Sequence, residues 1–330
     1  MRRRGPSLKQ IVDEVNVSEI EAVLRPCYKK WCRGDGHAGR PPHNPVGLAL
    51  ALLIKLLRGW SDADLVGFLE AHPEWVRFLG LEKVPEESVW SKLLDRIPES
   101  ALDDLLGRLV RDLRKKGFLF LSTLAADGSF IPACNHDPDA RWGYVRRLDK
   151  RRGLPSGRYV EQEGKILGFG YRIHVLVDAT RGLPVAVHVS RADTNDASEW
   201  DALYKASRGT IGWGKVLWFT ADKGYDVAHV RESLEPWDAQ LAIPAANTPA
   251  RLKYGGFKGE RARVYRKRTS VERFFSMLKS FFGLLERNLI TFDRVRKWLK
   301  LAVLASLVMG WVNHQRGNPV HSVTAFNRLA

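Results

Sequence analysis

The sequence has little cysteine and no apolar run long enough to cross a membrane. Three cysteines among 330 residues exclude a scaffold built on disulfides and favour a reducing, cytoplasmic setting. The most apolar segment, residues 301–312, is 12 residues long, whereas a membrane-spanning helix needs about 20. We therefore expect it to form a buried helix. Residues 1–10 are basic but lack the apolar stretch of an export signal, so we expect no export.

Acidic residues are also scarce. The 37 aspartates and glutamates face 53 lysines and arginines, which gives a net charge of +16 and an isoelectric point near 9.9. Such an excess predicts a polyanionic partner, either nucleic acid or an acidic membrane surface. No glycine-rich loop of the P-loop type is present, so ATP dependence is not indicated.

The hydrophobic pattern changes its period near residue 118. Residues 1–117 carry helix signals, including an Asn44–Pro45 cap and a capping box formed by Ser61 and Asp64. We expect an all-helical N-terminal domain that binds DNA. Strand-like runs follow at 118–131, 171–179, 183–191, 216–222 and 239–245.

Three successive strands followed by strand–helix alternation predict an α/β core, with a mixed sheet that helices cover. We assign residues 118–290 to this core. A basic, aperiodic loop is expected at 141–170 and a small insert at 239–262. A helical C-terminal segment is expected at 291–330.

Two aspartates stand where a strand-like run stops and a glycine follows. They are Asp127 in "LAADGSF" and Asp222 in "FTADKGYD". Carboxylates at neighbouring strand ends of an α/β sheet lie in the crevice where such folds bind ligands. Each aspartate, taken singly, could equally belong to an ordinary turn.

A third acid lies in "VYRKRTSVERFFSMLKSFF", residues 264–282. If this segment is one helix, Tyr265, Arg268, Glu272 and Lys279 fall within a stripe of about 60°. Residues 258–300 contain 13 basic and 4 acidic side chains. The glutamate is therefore either part of an exposed ion-paired face or a ligand for a cation.

Three carboxylates beside a basic surface suit hard divalent cations that act on phosphodiesters. Positive charge near such a site would repel the metal unless a phosphate backbone is also bound. We therefore expect Arg268 and Lys279 to contact DNA phosphates. Tyr265 either stacks on or hydrogen-bonds a nucleotide, or it packs at the start of the helix.

The pattern Y-x2-R-x3-E-x6-K, filled by Tyr265, Arg268, Glu272 and Lys279, resembles a known signature. It surrounds the last acid of DDE transposases encoded by bacterial and archaeal insertion sequences of groups four and five. "ADGSFI" and "TADKGYD" resemble that family's settings for the first and second acids. "GYRIHVLVDATRGLPVAVHVSRADTND" and "FLEAHPEWVRFLGLEKVP" resemble other parts of the family, so the likeness spans most of the chain.

The resemblance implies an RNase H-like catalytic core and a triad of Asp127, Asp222 and Glu272 that binds two Mg²⁺ ions, with Mn²⁺ as an alternative. It also implies cleavage at transposon ends and strand transfer into target DNA. The expected partner is double-stranded DNA, bound by a homodimer or larger oligomer in the nucleoid, with no membrane partner. Only 49 residues separate the second and third acids, so the large β-rich insert of some relatives is absent.

Three other interpretations remain open. One is a DNA-binding regulator that keeps the fold without catalysis. Another is a metal-dependent endonuclease without strand transfer, which residue types do not separate from a transposase. A zinc site of Cys27, Cys32, His37 and His43 is a weaker hypothesis, because the spacing does not match the usual zinc modules.

Overall fold

The computed structural model describes seven stretches of the chain. They are residues 8–32, 43–134, 136–145, 159–162, 165–244, 258–283 and 291–323. The chain divides into two compact units, Met1–Leu109 with Lys297–Ala330, and Val110–Arg296. The C-terminal residues thus group with the N-terminal helices, whereas the sequence predicted a separate segment at 291–330. Parts of the predicted loop and insert lie outside the described residues, and so does His37 of the proposed zinc site.

The first unit is helical over its described N-terminal residues. Its helices are α1 (Leu8–Asp13), α2 (Val17–Cys32), α3 (Pro45–Arg58), α4 (Asp62–Ala71), α5 (Pro73–Phe78), α6 (Glu87–Arg96) and the start of α7 (Glu99–Lys115). The predicted cap of α3 is confirmed, since the Asn44 side chain accepts a hydrogen bond from the Val46 amide. The capping box at the start of α4 is confirmed as well.

The second unit contains a mixed sheet, which has seven strands in the described residues. They are β1 (Thr123–Pro132), β2 (Arg141–Tyr144), β3 (Tyr159–Gln162), β4 (Lys165–Asp178), β5 (Leu183–Arg191), β6 (Trp218–Thr220) and β7 (Gln240–Ala242). Strand β4 pairs antiparallel with β1, β2, β3 and β5. Strand β6 runs parallel to β1, and β7 runs parallel to β6. The predicted mixed sheet is thereby confirmed.

The predicted loop 141–170 needs correction at both ends, because β2, β3 and the start of β4 are strands. The Trp142 ring packs on Phe169, with ring centres 5.5 Å apart. Gly143 allows a close approach, since a Cβ there would lie 1.8 Å from the Ala192 carbonyl oxygen. These contacts join residues far apart in sequence, which explains why the short strands left no periodic signal.

The described residues form five further helices, of which the first two lie between strands of the sheet along the chain. They are α8 (Trp200–Arg208), α9 (Ala228–Leu234), α10 (Gly259–Arg266), α11 (Thr269–Ser280) and α12 (Phe292–Gln315). Helix α8 packs against β4 and β5, and α11 packs against β1, β4 and β5. The indole of Trp200 in α8 is fully buried and lies 4.9 Å from the Phe219 ring of β6.

Helix α12 explains why residues from 297 onward group with the first unit. Lys300 is 7% exposed, and its ammonium group forms ion pairs with Glu99, at 2.7 Å, and with Asp103. The Trp311 indole donates to Glu14 at 2.9 Å. The segment 301–312 lies in α12 and is largely buried, as predicted. None of the described helices has the length and apolarity needed to cross a membrane.

The entry into β1 depends on a buried carboxylate. Asp178 is fully buried and accepts hydrogen bonds from the amides of Phe120, at 2.8 Å, and Leu121, at 3.3 Å. Its other oxygen accepts from the Thr180 amide at 2.9 Å. Leu121 has a φ of 57°, a conformation that a leucine adopts only under such constraint. Asp178 therefore fixes the main chain that leads into β1.

Replacing Asp178 with alanine should lower the free energy of unfolding by about 3 kcal/mol, because buried amides would lose their charged acceptor. Urea unfolding followed by circular dichroism measures this change. Asp193→Ala, at an exposed loop position, is the matched control and should cost less than about 0.5 kcal/mol. Equal losses in the two variants would contradict the role of Asp178.

Candidate active site

Asp127 lies within β1 and not at its end, which corrects the sequence-based expectation. Strand β1 continues to Pro132 because its pairing with β4 runs on, with Asp127 opposite Val175. Strand β6 pairs with residues 123–125 of β1, and Asp222 comes two residues after β6 ends. The parallel pair β1 and β6 therefore brings the first two acids into one region of the sheet.

The environment of Asp127 is largely dry. Its side chain is 15% exposed, and Oδ1 accepts a hydrogen bond from the Gly128 amide at 2.9 Å. Burial raises the pKa of Asp127 to about 7; Arg268 opposes this rise, and the carboxylates of Asp222 and Asp196 add to it. Burial and two neighbouring acids thus make the charged form of Asp127 costly.

Asp222 also stabilises a turn. Its side chain accepts a hydrogen bond from the Gly224 amide at 2.7 Å, which caps the short 3₁₀ turn Lys223–Tyr225. The turn interpretation of "TADKGYD" is therefore correct for Asp222, and it does not exclude a role in the site. The amide fixes the direction of the carboxylate beside β1.

The segment around Glu272 forms two helices, so the single helix expected from sequence is wrong. Helix α10 ends at Arg266 and α11 begins at Thr269. At the break, the Arg268 amide bonds to the Tyr265 carbonyl oxygen, three residues back, at 3.1 Å. The break is a single tighter turn, and Lys267 and Arg268 keep right-handed helical dihedral angles.

Arg268 links the first and third acids. Its Nη1 donates to Asp127 Oδ2 at 2.9 Å, and its Nη2 donates to Glu272 Oε1 at 2.7 Å. The Arg268 side chain is 17% exposed and that of Glu272 is 55% exposed. A single guanidinium therefore joins strand β1 to helix α11 and places Glu272 at the solvent side of the site.

The other two residues of the signature are placed differently from each other. Lys279 Nζ donates to Ser129 Oγ at 2.8 Å, and Ser129 follows Asp127 by two residues, so both lie on the same face of β1. Tyr265 is 6% exposed and packs with Ala242 and Val264. Tyr265 is thus buried as the packing interpretation expects, but it lies near the end of α10 and not at the start of a helix.

The donor set suits a divalent cation, although the carboxylates do not converge as a finished metal site. Within the described ranges, no group of three or more histidine, cysteine, aspartate or glutamate side chains is arranged to hold a metal ion. Arg268 occupies the space between Asp127 and Glu272. Carboxylate oxygens are the ligands that hard divalent cations prefer, and a positive group already binds two of them. The residues fit such an ion once the guanidinium moves away.

Sequence reasoning missed two polar residues that border these acids. Ser129 holds Lys279, and Asp196 influences the charge of Asp127. Ser129 could have been found from its two-residue spacing to Asp127 on a strand. Asp196 had no such signal, because it reaches the site from the loop after β5.

Two family models match the chain. One, described as "Transposase DDE domain", covers residues 119–308, which is more than half of the chain. This chain belongs to the DDE transposase family. A second model, "Transposase domain (DUF772)", covers residues 2–96 of the transposase. The family uses divalent metal ions to cut and join DNA, and the protein is an enzyme of this kind. No curated protein matches the transposase.

Solved structures of other transposases resemble the chain only distantly. The piggyBac transposase synaptic complex with hairpin DNA is 13% identical, with a TM-score of 0.43, over 99% of this chain and 81% of that chain. The Mos1 strand transfer complex is 15% identical, with a TM-score of 0.32, over 93% and 83% of the two chains. Similarity at these TM-scores establishes neither a shared fold nor a shared activity.

The raised pKa of Asp127 predicts a pH-dependent stability difference between the transposase and Asp127→Asn, measured without divalent cations. Below about pH 4 the aspartate is protonated in both the folded and unfolded states. From about pH 4 to about pH 7 only the folded state retains the proton. As the pH rises through this range, the free energy of unfolding of the wild type should therefore fall relative to that of Asp127→Asn, by at most about 1.4 kcal/mol per pH unit.

Urea unfolding at a series of pH values tests this expectation. Asp193→Asn, at an exposed position, is the control for the loss of an aspartate. A stability difference between Asp127→Asn and the wild type that does not change with pH would mean that burial does not raise the pKa of Asp127.

Proposed function

We propose that Asp127, Asp222 and Glu272 are the catalytic acids of a transposase that cuts insertion-sequence ends and transfers them into target DNA. The observation that carries this proposal is the Arg268 guanidinium, which is held between Asp127 and Glu272. It indicates that these two carboxylates can bind one positive group together. The influence of Asp222 on the pKa of Asp127 supports including the second acid.

The proposed core is RNase H-like, and the proposed cofactor is a pair of Mg²⁺ ions, with Mn²⁺ as an alternative. When bound, such ions activate the attacking water or 3′-hydroxyl and stabilise the leaving oxygen. Asp127 offers Oδ2 as a ligand, because Oδ1 is engaged by the Gly128 amide. Asp222 offers a carboxylate whose direction the Gly224 amide holds. Glu272, on helix α11, is the third proposed ligand.

Arg268 has two competing partners in this scheme. Its guanidinium occupies oxygens of Asp127 and Glu272, and a DNA phosphate offers it an equally suitable bidentate acceptor. Transfer of Arg268 to a phosphate would free both carboxylates for a cation. DNA binding and cation binding should therefore strengthen each other, by an equal factor in each direction. The sequence-based assignment of Arg268 to DNA thereby remains part of the proposal.

The remaining assignments concern DNA and assembly. Lys279 of α11, which contacts Ser129 on the face of β1 that carries Asp127, is proposed to contact a phosphate near the cut site. The Tyr265 ring lies 6.0 Å from the Arg268 guanidinium and is proposed to support it. The N-terminal helices are proposed to bind the element ends. Because two ends must be held together, we propose a homodimer or larger oligomer on DNA, located with the nucleoid.

A regulator without catalysis is the less favoured alternative. The Asp127 carboxylate is 15% exposed, and its burial makes the charged form costly. A surface that only binds DNA gains nothing from such a group, because negative charge repels the phosphate backbone. An endonuclease without strand transfer would use the same acids, and only the joined product separates it from a transposase.

Asp127→Asn and Glu272→Gln should each reduce DNA cleavage and strand transfer by at least about 100-fold, because each removes an essential negative ligand. The assay combines purified protein, DNA carrying the flanking terminal repeats, a supercoiled target and Mg²⁺. Cleaved and joined products are separated on gels.

Glu260→Gln is the matched control, since Glu260 is an exposed glutamate of α10 and its variant should retain activity. Cleavage without joining in the wild type would support the endonuclease. Tight DNA binding with no cleavage in any divalent ion would support the regulator.

Lys279→Gln should weaken DNA binding uniformly across sequences and reduce the slope of log K against log salt by about one. Fluorescence anisotropy over a range of salt concentrations measures both quantities. Lys205→Gln is the control, because Lys205 is exposed on α8, away from Ser129 and Lys279. An unchanged slope for Lys279→Gln would remove Lys279 from the phosphate contacts.

A further inference from the structure

A fourth acid, Asp196, lies in the loop between β5 and α8. Its side chain is 12% exposed, and Oδ1 accepts a hydrogen bond from Arg172 Nη1 at 3.1 Å. Arg172 is itself 15% exposed, and its Nη2 donates to the Tyr144 carbonyl oxygen at 2.9 Å. The carboxylate therefore has a fixed position, and no described residue other than Arg172 donates a hydrogen bond to it.

Asp196 lies against the main chain next to Asp127. A Cβ added to Gly128 would lie 2.1 Å from Asp196 Oδ1 and 2.7 Å from its Cγ, so a side chain at this position would displace the Asp196 carboxylate. Successive residues of a strand face opposite sides of the sheet. Gly128 pairs with His174 of β4, and Asp196 therefore approaches β1 from the face opposite the Asp127 side chain.

The surroundings of Asp196 are dry and contain buried polar atoms without hydrogen-bond partners. His174 is fully buried, and its Nδ1 lies 3.6 Å from Asp196 Oδ1 without a hydrogen bond. Burial is the main cause that lowers the pKa of His174 to about 3, so its ring is neutral. The hydroxyl of Tyr225, also fully buried, has no partner among the described residues.

Among the described residues, Arg172 is therefore the positive side chain in contact with Asp196. Burial is the main cause that raises the pKa of the Tyr225 hydroxyl, and the carboxylates of Asp196, Asp127 and Asp222 raise it further. The three negative charges therefore share one weakly screened region. In such a region a charge acts across several ångströms more strongly than in water. Asp196 is thus close enough to influence a cation bound by Asp127 without touching it.

We propose that Asp196 is a positioning residue that acts through the main chain at Gly128 and strengthens divalent cation binding by Asp127, while Arg172 limits its effect. This inference rests on the proposed function of Asp127. The Asp196 carboxylate supports the cation site from the opposite face of the sheet, and its charge adds to the field at Asp127. Removing the negative and the positive member of the pair should therefore change cation affinity in opposite directions.

The test measures Mn²⁺ binding to the full-length protein by isothermal titration calorimetry, with electron paramagnetic resonance of free Mn²⁺ as a second readout. Asp196→Asn keeps the shape and an acceptor for Arg172, and it should weaken binding about fivefold. Arg172→Gln leaves the Asp196 charge uncompensated, and it should strengthen binding about twofold or more. A merely structural pair would weaken binding in both variants or in neither.

Two controls separate failure of this inference from failure of the proposed function. Asp193→Asn removes the same charge from an exposed position of the same loop and should leave affinity unchanged. Asp127→Asn should abolish binding. If the wild type shows no binding that depends on Asp127, the proposed cation site is wrong.

If Asp127→Asn abolishes binding and Asp196→Asn matches the wild type, only the role of Asp196 is overturned. Circular dichroism verifies folding of each variant. Should Asp196→Asn fail to fold, Arg172→Gln decides alone, and unchanged or weaker binding in that variant overturns the inference.

Discussion

The arrangement of the site depends on the Arg268 guanidinium between Asp127 and Glu272. Arg268 binds Asp127, which lies 141 positions away in sequence, and also Glu272, which lies four positions away. It offsets negative charge that burial and neighbouring acids would otherwise make costly at Asp127. Arg268 stands in the tight turn between α10 and α11 and contacts β1 through Asp127. The site proposed to receive a cation thus already holds a positive side chain between two of its carboxylates.

Strand β1 organises the site because its two faces carry different tasks. On one face Asp127 and Ser129 meet Arg268 and Lys279 from α11 and the turn before it. On the other face Gly128 admits the Asp196 carboxylate. Because successive side chains of a strand point to opposite faces, the residues of β1 proposed to meet substrate lie on one face and the proposed supporting residue contacts the other. Burial of negative charge in such a strand reduces stability, a cost that functional sites commonly carry.

Much of the local structure could be predicted from the sequence. The caps at Asn44 and Ser61 depend on residues two or three positions apart, and the strand-like runs predicted the mixed sheet because alternation is a property of one strand at a time. The order of the two aspartates and the glutamate, together with the signature around Glu272, was sufficient to suggest the family that the match over residues 119–308 establishes.

The sequence by itself determined the types and order of the acids, the basic balance and the main periodic elements, because each is encoded within a short window. Only the tertiary structure decided that Asp127 lies within a strand, that Tyr265 is buried and that Arg268 binds carboxylates. It alone brought Asp196 beside Gly128. The physical reason is that burial, ion pairing and close approach arise between distant segments, and no local period records which segments will meet.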